Sequence, residues 1–201
     1  LASSTDNPNY NSIIEGLKQH NESRQLFLRA CLQKLGLKVN QNEMVRPRLT
    51  PLLLTSPVSG AVTEIIRTVV NEVGLTGENK DILKGNQDSF RLHKGEEASS
   101  AHQLNKQEEF EDPDTVVKEL YAFTDDIPDS KLTAYFDIRQ YFRHLRECYG
   151  NLTGSDAGSV LLYGEVVTST STILYKNFNI ISNLPSGLVC AATVQVSGRG
   201  R

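Results

Sequence analysis

Five hydroxyl side chains stand in a row at Thr168, Ser169, Thr170, Ser171 and Thr172. A single Ser or Thr suffices to cap a helix N-terminus, so the run holds more hydroxyls than a cap consumes. Each hydroxyl can donate and accept. Together with the first N–H groups of a helix, they could surround a neutral polar head such as a urea or an amide carbonyl. On these residues alone, capping and ligand holding are both open. Further on the chain reads Ser197-Gly198-Arg199-Gly200-Arg201. Gly198 and Gly200 permit close backbone approach, and Arg199 and Arg201 carry planar donor forks that fit carboxylate or phosphate. A ligand clamp and a solvated RNA-binding tail of the Arg-Gly type are both compatible with so short a pattern. A Walker-type phosphate loop is not, because its longer glycine pattern and its Lys are missing.

The other reactive side chains are not arranged for chemistry. His20, His93, His102 and His144 lack the close spacing of metal ligands, and no metal site is expected. Cys31, Cys148 and Cys190 are far apart and odd in number, so they read as reduced, partly buried thiols of a cytosolic or nuclear protein. No surrounding sequence marks a Ser–His–Asp triad or a Cys nucleophile. Asn21-Glu22-Ser23 and Asn151-Leu152-Thr153 match the glycosylation triplet, but no signal peptide accompanies them. A net charge of -3 offers no overall cationic surface to nucleic acid or an anionic membrane. No apolar run approaches the roughly 20 residues needed to span a bilayer. The expected location is cytoplasmic, and neither nucleic acid nor membrane is an expected partner.

The elements that must place the hydroxyl run and the Gly-Arg loop can be read from periodicity. A buried-type strand over "SVLLYGEVVTST" leads into the run. A helix follows, with Ile173, Leu174, Phe178 and Ile181 as its stripe, and then a second buried strand, "GLVCAATVQV". Upstream, helical patterns start at Asn11 and again at Asn21, the second with Asn21 as N-cap and Gly36 as C-cap. "RLTPLLLTS" reads as an edge strand, because Pro51 cannot donate to a ladder. Ser59 is expected to cap a helix with the stripe Val62, Ile65, Ile66, Val69, Val70 and Val73, ending at Gly74. A hairpin around Gly85-Asn86 follows. Residues 95–114 are charged and polar and read as a linker. "TVVKELYAFTDD" reads as a strand. Phe136, Ile138, Tyr141, Phe142, Leu145 and Cys148 form one face of a further helix, which ends at Gly150.

Over "YGEVVTSTSTIL…GLVCAATVQVSGRGR" the chain resembles the biotin protein ligases, also called holocarboxylase synthetases, and in particular their large eukaryotic branch. That family has a Ser-Thr-rich turn opening a helix, then, some 25 residues on, a strand ending in Gln-x-x-Gly-Arg-Gly-Arg. "GLKQHNESRQLFLRACLQKLGLKVN" is similar to the segment that follows the amidotransferase-like domain of those enzymes. The resemblance implies ATP-dependent activation of biotin to biotinyl-5′-AMP and transfer to a lysine of a biotin carboxyl carrier domain in a carboxylase. It implies biotin and ATP as substrates, with Mg2+ accompanying ATP. Ser169, Thr170 and Ser171 match the turn that holds the biotin ureido head. Gln195 matches the strand residue lining the biotin pocket, and Gly198, Arg199, Gly200 and Arg201 match the loop over the adenylate. The family's Lys-Trp-Pro-Asn-Asp motif is absent, since the sequence has no Trp. With Leu as first residue, this suggests an internal fragment, inactive by itself, with no catalytic residue of its own. The expected fold is α+β: residues 1–94 a mixed connecting module, 95–154 a linker with a strand and a docking helix, and 155–201 the first strand–helix–strand of a ligase domain similar to class II synthetases. A regulatory or interaction fragment without catalysis is the rival from a different class.

Overall fold

A computed structural model describes residues 12–13, 15–16, 19–38, 47–98 and 115–198. The chain divides into two compact units, residues 1–45 and 46–201. The fold is α+β, with helices and a mixed six-stranded sheet. In the first unit residues 12–13, 15–16 and 19 are helical, and a helix, α1, spans Asn21–Lys34, none of whose residues is buried. His20 occupies the N-cap position in place of the expected Asn21. Asn21 Oδ1 instead accepts from the Arg24 guanidinium at 2.7 Å. The C-cap is Leu35, and Gly36 follows at φ +79. Gly36 N–H donates to Gln33 O and Leu37 N–H to Leu32 O, at 2.9 and 3.0 Å, which is the Schellman ending that glycine permits.

The second unit is built on strands β1 (Leu52–Thr55), β2 (Ile82–Lys84), β3 (Ser89–Lys94), β4 (Lys118–Ala122), β5 (Leu161–Val167) and β6 (Val189–Gln195), in the order β2-β3-β4-β1-β5-β6. β1 runs parallel to β4 and antiparallel to β5; β3 runs parallel to β4, β5 parallel to β6, and β2 antiparallel to β3. β1 is therefore central, not an edge, and all its residues are buried. Pro51 precedes the strand, so its missing N–H interrupts no ladder bond. Thr50 joins β5 on its behalf: its N–H donates to Val166 O, and its Oγ1 accepts from Val166 N–H, each at 2.9 Å. The hairpin expected around Gly85-Asn86 is β2–β3.

Helix α2 (Ala61–Val73) presents Val62, Ile65 and Val69 to one face of the sheet, where they pack with Leu52, Leu54, Leu83 and Leu162. Burial of each such side chain is worth about 1.5–3 kcal/mol. Its N-cap is Gly60 at φ 75 with no side-chain bond, so Ser59 does not cap it. Helix α3 (Ile138–Tyr149) covers the opposite face through Ile138 and Phe142, against Leu53, Tyr121, Leu161 and Tyr163. Asp137 caps α3 by accepting from Gln140 N–H at 2.8 Å. Cys148, expected on its packed face, is exposed, as is Cys31; Cys190 alone is partly buried.

After β5 the expected single helix is two short ones, α4 (Thr170–Tyr175) and α5 (Phe178–Ile181). The break falls at Asn177, which is buried, and Phe178 is 72% exposed, so it leaves the apolar stripe. β6 is exposed to intermediate along its length rather than buried, because it forms an edge of the sheet. The sheet draws strands from each of the three segments that the sequence reading sets apart, and the boundary between compact units falls at 45/46. Of the expected linker, Gly95–Glu97 form a 3-10 turn and Ala98 is buried, while 99–114 lie outside the described residues. Among the described residues no helix is long and apolar enough to cross a membrane.

Candidate functional site

β5 delivers the hydroxyl run to one end of the sheet. Pairing with β6 continues beyond the strands, with Val196 N–H donating to Val167 O and Ser197 N–H to Thr168 O, at 2.9 and 2.8 Å. The five hydroxyls then separate in function. Thr168 is buried, and its Oγ1 has no partner among the described residues; it faces a small void beside Thr50 and Ile173. Ser169 is the N-cap of α4, its Oγ accepting from Thr172 N–H at 3.3 Å. Thr170 is tied to β6: its N–H and its Oγ1 both donate to Gln195 Oε1, at 3.0 and 3.2 Å. Ser171 is exposed. The helix cap thus falls to one hydroxyl of the five, and its neighbours take other positions.

Ser169, Thr170, Ser171, Thr172, Tyr175, Lys176, Gln195 and Gly198 line a cleft of about 320 Å³. This volume lies within the range of small-molecule sites. Gln195 spends its carbonyl oxygen on Thr170, which leaves its amide N–H groups available. Gly198 turns back on the same residue; a Cβ there would lie 3.2 Å from Gln195 Cβ. Hydroxyls and one amide offer both donors and acceptors to a neutral planar polar group. α4 has only six residues, so the hydroxyls rather than a helix dipole give this site its character.

Of the residues expected at the site, the structure brings together Ser169, Thr170, Ser171, Gln195 and Gly198. Arg199, Gly200 and Arg201 lie outside the described residues. Thr172, Tyr175 and Lys176 are lining residues that the sequence reading missed. Their signal was spacing: Ser171 with Tyr175, and Thr172 with Lys176, stand one helical turn apart and share a face. Lys176 is the one charged side chain among the described lining residues, and it places a cation where a ligand carboxylate or phosphate could meet it.

Elsewhere, His93 has a partner that sequence spacing could not reveal. Its Nε2 lies 2.5 Å from Glu119 Oε2, and its ring stacks on Tyr121 at 4.6 Å, because β3 and β4 are paired. No group of three or more His, Cys, Asp or Glu that could hold a metal occurs among the described residues. Burial pushes the Cys190 thiol up to about 12, so it is no nucleophile at neutral pH.

Residues 1–56 match the family model described as biotin-protein ligase, N terminal. No curated protein and no solved structure matches the chain. The match supports a biotin protein ligase family. It falls at the opposite end of the sequence from the cleft, so the two observations are independent.

Proposed function

We propose that the chain is part of a biotin protein ligase of the large holocarboxylase synthetase type. In the first step a biotin carboxylate oxygen attacks the α-phosphorus of ATP, giving biotinyl-5′-AMP and releasing pyrophosphate. In the second, a lysine amine of a biotin carboxyl carrier domain in a carboxylase attacks the biotinyl carbonyl, and AMP leaves. The observation that carries this reading is the convergence of the Ser/Thr turn and Gln195, 25 residues apart, on one cleft.

Ser171 and Thr172 would meet the ureido group with Gln195 Nε2, while Ser169 and Thr170 hold the turn in shape. Lys176 would face the anionic end of the ligand. Arg199, Gly200 and Arg201 would close over the adenylate and exclude water from the mixed anhydride. Mg2+ would arrive on the ATP phosphates, since the described residues provide no carboxylate cluster for it. A cytoplasmic location fits this chemistry.

The test is pyrophosphate release. The sequence has no Trp and so no Lys-Trp-Pro-Asn-Asp motif. The purified chain with biotin and ATP should release no pyrophosphate above the enzyme-free rate, whereas the chain joined to a segment containing that motif should release it and label a carrier lysine. No release by the joined protein would contradict the assignment, and release by the chain alone would contradict its expected inactivity. Saturable RNA binding by the chain would favour the Arg-Gly tail instead.

A further inference from the structure

The turn between β2 and β3 is fastened to the end of α4 by buried polar groups. Asn177 is 1% exposed, Asp88 3% and Lys118 7%. Asn177 Oδ1 accepts from the backbone N–H groups of Asp88 and Gln87, at 2.8 and 3.1 Å. Its Nδ2 donates to Asp88 Oδ2 at 2.7 Å and to Ile173 O at 3.0 Å. Both donors and both lone pairs of the amide are thereby used. Lys118 Nζ donates to the other oxygen of Asp88 at 2.5 Å. A second, exposed pair lies alongside: Asn179 N–H donates to Asn86 Oδ1, and Asn179 Nδ2 to Lys84 O, each at 2.9 Å.

Ile173 O belongs to the last turn of α4, where carbonyls lack helical partners. A helix of six residues cannot hold itself in water, because nucleation outweighs its few bonds. Its N-terminal end is tied by Thr170 to Gln195. Its C-terminal end is tied through Asn177 to a hairpin about ninety residues upstream. We infer that Asn177 is a positioning residue which, with Asp88 and Lys118, fixes α4 and so aims Ser171, Thr172 and Lys176 into the cleft. The ligand site therefore depends on residues 84–88, far from it in sequence. The effect on biotin rests on the reading of the cleft given above; the fixing of α4 does not.

Hydrogen exchange with biotin titration tests this on the whole chain, as wild type, Asn177→Ala, Asn177→Asp and the exchange variant Asp88→Asn/Asn177→Asp. In Asn177→Ala the amides of Ile173 and Lys176 should exchange about tenfold faster, and the biotin Kd should rise about tenfold, as a lost and unreplaced buried bond implies. Amides of β1 and β4 should keep their protection. Asn177→Asp sets a second carboxylate beside Asp88 and should loosen α4; the exchange variant restores the pair of one carboxylate and one amide but not the bond to Ile173 O, and should recover part of the protection. A merely structural residue would lower protection across the sheet alike and would not be rescued, and that result overturns the inference. So does unchanged exchange in α4, or an unchanged Kd with α4 loosened. If the wild type binds no biotin, the cleft reading fails, and the exchange data alone decide whether Asn177 fixes α4. If Asn177→Ala does not fold, Asn179→Ala removes only the bond to Lys84 and should show the same local change at smaller size.

Discussion

Ser169 and Gln195 hold different atoms of the same turn, and their substitutions should separate. Ser169→Ala removes the side-chain cap of α4 and should cost about 1 kcal/mol, read as a lower urea midpoint with an unchanged slope. Gln195→Ala frees the N–H and hydroxyl of Thr170, and it should weaken a urea-bearing ligand more than it lowers stability. A second prediction concerns the thiols. Cys31 and Cys148 are exposed, while burial raises Cys190 to about 12. At pH 8 a disulfide reagent should titrate two thiols rapidly and the third only on unfolding. Because the folded state disfavours the Cys190 thiolate, that group's contribution to stability should be complete below the unfolded thiol pKa and decline as pH rises from about 9 towards 12. At this scale the hydroxyl run was legible as holding more hydroxyls than one cap uses, with its role as cap or ligand site left open. Asn177 was not, because its partners Gln87 and Asp88 lie about ninety residues away and nothing local marks a buried amide.

Among the elements, the strand and helix types were legible where the apolar period was long, as in α2 and α3. Position in the sheet was not. Pro51 suggested an edge, yet a proline one residue ahead of a strand leaves its ladder intact. The apolar run of β6 suggested burial, yet its place beyond β5 leaves it exposed. The break between α4 and α5 was hidden for a related reason: Ile173 and Leu174 continue a helical stripe, and the break falls at Asn177, whose hairpin partners are distant in sequence. The hairpin turn supplies a third prediction. A Cβ at Gly85 would lie 2.3 Å from Asn177 Oδ1 and 2.8 Å from Asp88 O. Gly85→Ala should therefore destabilise the fold by about 1–3 kcal/mol, as overpacking does, and only part of that loss should vanish in the Asn177→Ala background, since the contact with Asp88 O remains.

For the whole molecule, composition and charge bounded the class, while the sheet order had to come from the structure, since the central strand β1 pairs with β4 and β5, both far along the chain. One sheet joins strands from residue 52 to residue 195, so cutting ahead of β5 should expose the apolar edge where β1 pairs and yield an insoluble product. The Gly-Arg loop belongs at this scale too, because on the proposed reading it would act only in a ligase able to form the adenylate. There Arg201→Gly should release the intermediate onto bystander lysines more than Arg199→Gly does, by roughly tenfold to a hundredfold, the worth of one charge-assisted contact. Equal leakage from both variants would contradict that order. The central claim, that the Ser/Thr turn and Gln195 hold a biotin ureido group, is tested most directly by titrating biotin into isotopically labelled chain and following the backbone amides. Biotin should shift Thr170, Ser171, Thr172 and Gln195 together, saturably, and the shifts should disappear in Ser171→Ala/Gln195→Ala. No shift at millimolar biotin, or shifts that leave those four amides untouched, would contradict it.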